Sequence, residues 1–427
     1  MTKFEAAVIG TGPAGLATAL ALARVGVETA LVGPPYDAAK AAADRRTTAL
    51  IGPSVRLMEN LGVVSDPLGL TPLHHPTGPA VRAPTAAGAT VSDPEGLTPI
   101  LALRIADDRG RLIRAPEMLF RAAEAGLASF GVNIANPTLL AALNAAAERA
   151  PRLTRIATAG VAGIQPTATS VRLGLSEGGA VEATLMVAAD GRASLAPAAA
   201  GIAVQAWDYP QAAIAASFGH SRPHEATVNE LHRPAGPLTT VPLPGGRHSA
   251  LVWVEEPGEA RRLARLDDAA FAAELEERLQ GALGAVGEVG PRAVHALSGR
   301  RAERMGAARI ALAGEAAHVV PPIGAQGLNL GLGDAAALAD CVAAAKAGLQ
   351  DIGGEATLAA YTQARAGDVL VRSVTIDLLN RSLLLEILPL DMLRGAAAHA
   401  LASFPSLRKL LMQQGMGLAG SLPSLMR

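Results

Sequence analysis

Residues 309–334, RIALAGEAAHVVPPIGAQGLNLGLGD, constrain the fold of this chain more than any other stretch. Residues 309–313 alternate and then run apolar, as a buried strand does, and Gly314 permits a sharp backbone turn at the strand's end. The turn presents Glu315 at the carboxyl edge of the strand, where open α/β sheets bind their ligands. Pro321 and Pro322 fix φ and stiffen the loop that follows. In Gly324-Ala325-Gln326-Gly327 the glycines let bare backbone lie flat against a planar ring, before a helix expected to start near Leu328. A helix amino end carries partial positive charge and unpaired N–H groups. Free N–H groups around Gly327, Leu328 and Asn329 therefore suit the negative charge that a reduced flavin carries on its pyrimidine side. A glycine-bearing strand, turn and helix also occurs as plain structure, so the reading needs support from elsewhere in the chain.

The amino terminus supplies it. Residues 3–9 read as a strand, Gly10-Thr11-Gly12-Pro13-Ala14-Gly15 follows, and a helix rich in Ala and Leu runs through Ala23. This is the dinucleotide fingerprint in its required context, strand before and helix after. Gly10 makes the tight turn, Gly12 and Ala14 lie where a pyrophosphate approaches the backbone, and Gly15 lets helix pack on strand. The pattern does not separate FAD from NAD. One expected part is missing: the second strand, residues 28–32, should end in an acid for the adenosine ribose, and position 33 is glycine.

Composition excludes several classes. With 427 residues, 50% of them apolar, the chain can bury more than one core and reads as two or three modules. A net charge of −1 and 3% aromatic residues give neither an electrostatic footprint nor a stacking platform for nucleic acid. The single Cys341, inside an apolar helix, rules out a disulfide framework and a Cys-based metal site, and reads as a small core residue. The amino terminus enters strand and fingerprint with no signal peptide ahead of them, and polar residues interrupt every apolar run before about 18 residues. These features set the expectation of a cytoplasmic protein, or one peripheral at the inner membrane.

Between the two glycine motifs, Asp44-Arg45-Arg46-Thr47-Thr48-Ala49-Leu50 precedes a helix at 54–61, and the Pro/Gly-rich stretch 66–99 reads as an excursion from the first domain. Residues 117–127 and 137–150 read as helices. Short strands over 160–185 end in Met186-Val187-Ala188-Ala189-Asp190-Gly191, so a second buried strand brings a carboxylate and a glycine to a sheet edge. Residues 201–256 read as strands, 268–280 as a helix, and the glycines of 284–290 as a loop. From Tyr361 the chain reads helical to Leu388, breaks at Pro389, resumes over 391–404 and breaks again at Pro405. Beyond Asp391 its only charged residues are Arg394, Arg408, Lys409 and Arg427, among many Leu and Met. A basic amphipathic end suits an anionic membrane surface, and equally a helical cap packed on the protein or on a partner.

Residues 10–15, Ala189-Asp190-Gly191 and the stretch from Gly314 to Asn329, in this order and at these separations, resemble the three FAD motifs of single-component flavoprotein aromatic hydroxylases. DRRTTAL at 44–50, FGVNIANPTLLAAL at 130–143, HRPAGPLTTVPLPGGRHSALVWVEEP at 232–257 and the whole of 297–334 resemble, more narrowly, a bacterial branch of the ubiquinone-biosynthesis hydroxylases. The resemblance implies an α/β architecture. A Rossmann-type, glutathione reductase-like FAD-binding domain would comprise 1–72, 105–200 and 296–355, and a β-sheet substrate domain 73–104 and 201–295. A C-terminal helical region would follow over 356–427.

It also implies the chemistry. NAD(P)H would reduce FAD, O2 would react at the reduced flavin, and the aromatic ring of a polyprenyl phenol would be hydroxylated, with no side chain nominated as catalytic. Other ubiquinone-biosynthesis proteins are the implied partners. The resemblance places Arg46 beside the flavin or its ribityl chain, Asn136 on the opposite wall, and Asp190 with Gly191 near the pyrophosphate and the route of NADPH. Glu315 falls on a ribityl hydroxyl. Pro322, Gly324, Gln326, Gly327, Leu328 and Asn329 fall along the ring, with Arg46, Pro322 and Gly327 positioning it. Each polar residue has a plainer reading. Arg46 stands beside Asp44 as a surface ion pair would, and Asn136 before Pro137 has the pattern of a helix cap. Glu315 replaces the usual Asp, setting the carboxylate about one methylene further out. His318 reads as a loop histidine held by backbone groups. A hydroxylase of a soluble aromatic substrate and a non-catalytic flavoprotein scaffold remain as alternatives.

Overall fold

The computed structural model describes residues 2–64, 96–107, 117–384, 404–416 and 421–427. Most of the expected excursion at 66–99 and of the helix at 391–404 lies outside them.

Five parallel strands make the centre of the eight-stranded first sheet, in the order Ile310–Leu312, Ala180–Ala188, Thr2–Ile9, Thr29–Gly33, Leu153–Ala157, with Gly306–Ala307 antiparallel at the Ile310–Leu312 edge. Strands Val171–Leu175 and Val161–Pro166 extend it antiparallel from the amino half of Ala180–Ala188. Every residue of Thr29–Gly33 is buried, as expected of a parallel sheet covered on both faces. The helices Pro13–Arg24 and Gln326–Ala347 cross closely, because small residues meet there. A Cβ on Gly331 would stand 3.1 Å from Gly314 Cα and 3.5 Å from Ala14 Cβ. Gln326–Ala347 is long and apolar enough to cross a membrane, with a mean hydropathy of 1.3, which the sequence reading of apolar runs did not anticipate. Nevertheless, 72% of its most apolar 18-residue stretch is buried, as in a core helix.

The second sheet has nine strands. Its main path runs His318–Val319, Ala293–Ala302, Val204–His220, His248–Glu255, Gly236–Pro242, Thr227–Arg233, Ala102–Asp107, Met118–Arg121. Helices Pro257–Ala264, which the sequence did not announce, and Asp268–Leu279 bury their apolar faces against it, with Trp253 and Phe271 at 5.9 Å between ring centroids. The expected helix at 117–127 is instead the strand Met118–Arg121 followed by a 3-10 turn, Ala122–Ala125. Pairing with Ala102–Asp107 buries Phe120 and outweighs the helical propensity of an Ala-, Glu- and Leu-rich stretch. Met118–Arg121 thus belongs by hydrogen bonding to the second sheet, although it falls in the stretch assigned above to the first domain.

A small third sheet, Thr47–Ile51, Gly131–Ala135 and Leu97–Ile100, brings the 44–50 motif beside the start of helix Asn136–Arg149. The described carboxyl-terminal helices are Glu355–Leu384 and Pro405–Gly415. Pro405, expected to break a helix, begins one, since its missing N–H costs nothing at the first helical position. Segment 309–334 proves to be the seam of the molecule. Ile310–Leu312 belongs to the first sheet, His318–Val319 hydrogen-bonds Arg300 and Arg301 in the second, and Gln326–Ala347 packs back on the first.

Candidate active site

The fingerprint turn follows from contacts that leave no room for side chains. Gly10 has φ +112°, and a Cβ there would lie 2.3 Å from the Ala189 carbonyl oxygen. A Cβ on Gly15 would lie 1.9 Å from the Gly10 carbonyl oxygen. Gly12 is different: nothing stands within 4 Å of its would-be Cβ. Helix Pro13–Arg24 has no side-chain cap, so its first N–H groups open onto that space and suit a pyrophosphate. At the end of the second strand a Cβ on Gly33 would meet Thr11 Cγ2 at 3.1 Å. The next acid, Asp37, accepts from the Lys40 N–H at 3.0 Å to cap its own short helix. This strand therefore offers no carboxylate where an adenosine ribose would need one.

Strand Ala180–Ala188 carries the second motif to the same edge, where the Ala189 N–H donates to Ile9 O at 2.8 Å. Gly191 has φ +89° and open space in place of a side chain. Asp190 is exposed just past the end of this strand, yet desolvation by the surrounding protein pushes its carboxyl above the usual value, opposed by Ser194 and the Arg300 charge. The next residue, Arg192, donates to both Glu315 oxygens at 3.3 Å and to Ser298 Oγ at 3.3 Å. Arg192 and Glu315 are each 54% exposed, so the pair is weak and leaves the carboxylate accessible.

The third motif is a left-handed turn leading into a helix start. Gly324 has φ +63° and Ala325 φ +53°, and the helix starts at Gln326, two residues earlier than expected. The unpaired N–H groups of its first turn are therefore those of Gln326, Gly327 and Leu328, with Asn329 beyond them. Asn329 instead uses its side chain. Oδ1 accepts from Ile51 N–H at 3.1 Å, while Nδ2 donates to Ala49 O at 2.8 Å and Ala325 O at 2.7 Å. It thereby ties strand Thr47–Ile51 to the helix start. Pro322, Gly324 and Gly327 are exposed, and no atom lies within 4 Å of a would-be Cβ on Gly327. Gln326 Nε2 donates to Gly324 O at 3.0 Å.

Arg46 and Asn136 come together as a group. Arg46 donates to Asp44 through Nε at 2.9 Å and Nη2 at 2.8 Å, which matches the ion-pair reading of this residue. The same contacts hold the Asp44 carboxyl down to about 2 and raise the Arg46 guanidinium, and the Glu315 charge also acts on Arg46. Asn136 is the first helical residue, with Ala135 as the cap, so it does not cap the helix. Its Oδ1 accepts from Thr48 Oγ1 at 2.7 Å and its Nδ2 donates to Asp44 Oδ2 at 3.1 Å. His295 was not singled out from sequence. Burial, then the Arg46 charge, lowers its pKa, with Asp44 opposing and Arg192 adding to the effect.

Further along helix Gln326–Ala347 lies a buried polar knot. His318 Nε2 meets Asp334 Oδ2 at 2.7 Å, the Gly314 N–H donates to that oxygen at 2.9 Å, and Arg365 Nε donates to Asp334 Oδ1 at 2.7 Å. His318 is thus held by a carboxylate and not by backbone groups. Burial alone would raise the Asp334 carboxyl, but His318 and Arg365 bring it to about 2. The signal for Asp334 was an acid flanked by small and apolar residues at 330–333 and 335–339. Arg365 had none.

The residues present fit FAD. Gly12, Gly191 and Gly327 each leave empty the space a side chain would fill, one in each of the three motifs, and two of them adjoin a helix amino end. The chain matches the FAD binding domain family over residues 3–370. It is 36% identical over 333 residues to a ubiquinone hydroxylase, UbiL, of Rhodospirillum rubrum, covering 77% of this chain and 76% of that protein. It is 27% identical to the 3-demethoxyubiquinol 3-hydroxylase of Escherichia coli, covering 97% and 98% of the two chains. The solved structure of p-nitrophenol 4-monooxygenase from Pseudomonas putida shares the fold, with a TM-score of 0.70 at 18% identity over 98% of this chain and 99% of that one. Taken with the three bare-glycine positions, these matches mean that the chain belongs to the FAD binding domain family, among the flavoprotein hydroxylases of ubiquinone biosynthesis.

Proposed function

We propose that the protein hydroxylates the aromatic ring of a polyprenyl phenol on the way to ubiquinone, using FAD, NAD(P)H and O2. The observation that carries this reading is the coincidence of three open-glycine positions, one in each of the three motifs, with a ubiquinone hydroxylase as a 36% identical relative. Bound FAD would supply hydride acceptance and oxygen activation. The chain's own residues then have four tasks. Gly12, Ala14 and the first N–H groups of Pro13–Arg24 receive the pyrophosphate, with Asp190 and Gly191 across from it on the NAD(P)H route. Glu315 accepts from a ribityl hydroxyl, its extra methylene balanced by Arg192, which holds it from the other side. The N–H groups of Gln326, Gly327 and Leu328 face the pyrimidine side and stabilise negative charge there. Pro322, Gly324 and the Arg46, Asp44 and Asn136 group shape the walls and limit water.

In this reading the first sheet is the FAD-binding domain, and the second sheet receives the substrate. The carboxyl-terminal helices expose Leu370, Val371, Val374 and Leu378, then Phe404, Leu407, Leu410 and Leu411. With exposed Lys409 beside them, they make peripheral contact with the membrane that holds the prenylated substrate. The test is purification followed by assay with a short-chain prenylphenol. FAD co-purifies and NAD(P)H oxidation yields a ring-hydroxylated product. NAD(P)H oxidation without hydroxylation of any prenylphenol would sink the substrate assignment. In a deletion strain, the quinone precursor that accumulates identifies the ring position.

A further inference from the structure

The wall at residues 324–327 is flanked by the buried apolar residues Ile323 and Leu330, and is also held by polar side chains. A cavity of about 260 Å³ near the helix start is lined both by Asn329, Asp368 and Arg372 and by the apolar Ile51, Met416 and Met426. Two polar links reach the wall: Asn329 Nδ2 donates to Ala325 O, and Arg372 bonds the Gln326 side chain. Arg372, on helix Glu355–Leu384, donates through Nη1 to the side-chain oxygen of Gln326. Gln326 in turn donates to Gly324 O, so its side chain spans the glycine turn. Arg372 is itself fixed. Its Nε donates to Asp368 Oδ1 at 2.5 Å, and the other oxygen of Asp368 accepts from Arg365 at 2.8 Å. Arg365 is buried on Asp334 in the core of the first domain.

We propose that Arg372 is a positioning residue for the flavin: it sets the 324–327 wall through Gln326, and is anchored to the core through Asp368, Arg365 and Asp334. The helix that carries Arg372 also grips the second sheet, with Tyr209 donating to Asp377 at 2.5 Å and Asn380 Nδ2 donating to Gln211 Oε1 at 2.8 Å. One rod thus holds both the wall facing the flavin and the sheet facing the substrate. The side chain of Arg372 is 14% exposed, which keeps its bonds from open competition with water.

The inference rests on the flavin lying against 324–327, and the test separates the two. Arg372→Ala, Gln326→Ala and the double variant are loaded with FAD and measured without substrate. The readouts are the visible flavin spectrum, the midpoint potential and the FAD dissociation constant. Each single variant shifts the spectrum and lowers the potential, because the helix N–H groups no longer face the reduced ring squarely. Each also weakens FAD on the order of tenfold, the size of one charge-assisted hydrogen bond. The double variant adds nothing, since the two residues act as one link. Arg372→Lys keeps the charge but cannot serve both partners, so it falls between wild type and Arg372→Ala, and it replaces the alanine variant if that one does not fold. A shift in Gln326→Ala with none in Arg372→Ala or Arg372→Lys overturns the role of Arg372, as does simple additivity. No shift in any variant overturns the placement of the flavin as well.

Discussion

Residues 10–15 and 324–329 both offer bare backbone at the start of a helix, and they arrive at it by opposite routes. At the first, protein atoms crowd Gly10 and Gly15 so closely that no side chain fits, and only Gly12 faces open space. At the second, Gly327 meets nothing, Gly324 serves a left-handed turn, and the surrounding order comes from Asn329 and Gln326 reaching sideways to other segments. One wall is fixed by the way strand and helix must pack. The other is fixed by polar side chains contributed from elsewhere. The first should therefore fail only together with the fold, while the second can be loosened on its own.

The largest test falls on the anchor of the second wall. Asp334→Ala strands buried Arg365 and His318, and should cost about 3–5 kcal/mol in urea unfolding of the FAD-loaded protein. Gly15→Ala comes next: with its Cβ against the Gly10 carbonyl, a loss of about 3 kcal/mol is expected by the same measurement. Acid sharpens the contrast. The Asp334 carboxyl sits at about 2 against an ordinary 3.8, so its folded-state pKa is the lower one. Its contribution, about 2 kcal/mol, is complete above about pH 4 and is lost as pH falls toward 2. An acid titration of wild type beside Asp334→Asn should show that component vanish in the variant. Gly12→Ala should weaken FAD on the order of tenfold while leaving the melting of the FAD-free protein nearly unchanged. If Gly12→Ala destabilised the FAD-free protein as much as Gly15→Ala does, the distinction between crowded and open glycines would not stand. The smallest effect is Asn136→Ala, about 1 kcal/mol, from two part-buried hydrogen bonds of which Thr48 and Asp44 can recover part through water.

The same contrast explains what could be read in the sequence. Strands 3–9 and 28–32, the helix after Gly15 and the strand delivering Asp190 follow from local apolar runs and glycines whose spacing is set within a few residues. The supports of the second wall join residues 31 to 280 positions apart, Asp334 with Arg365 and Asn329 with Ala49, and no local pattern marks such partners. Misreadings occurred where pairing between strands decided the structure. Met118–Arg121 has the composition of a helix and becomes a strand because Ala102–Asp107 lies alongside it. Asn136 has the pattern of a cap, yet it spends its amide on Thr48 and Asp44, which only the third sheet brings near.

The crossing of residues 310–319 from one sheet to the other bears on recombination between relatives. His318–Val319 is continuous in chain with the cofactor segment but hydrogen-bonded to Arg300 and Arg301. A chimera that exchanges the second sheet with its junction anywhere between 300 and 319 would graft half of a strand pair onto a foreign partner. Crossovers placed before Val204 and after Gln326 would instead transplant the pair intact, carrying Glu315 and the proline loop together with the strand Val204–His220 that Ala293–Ala302 lies against.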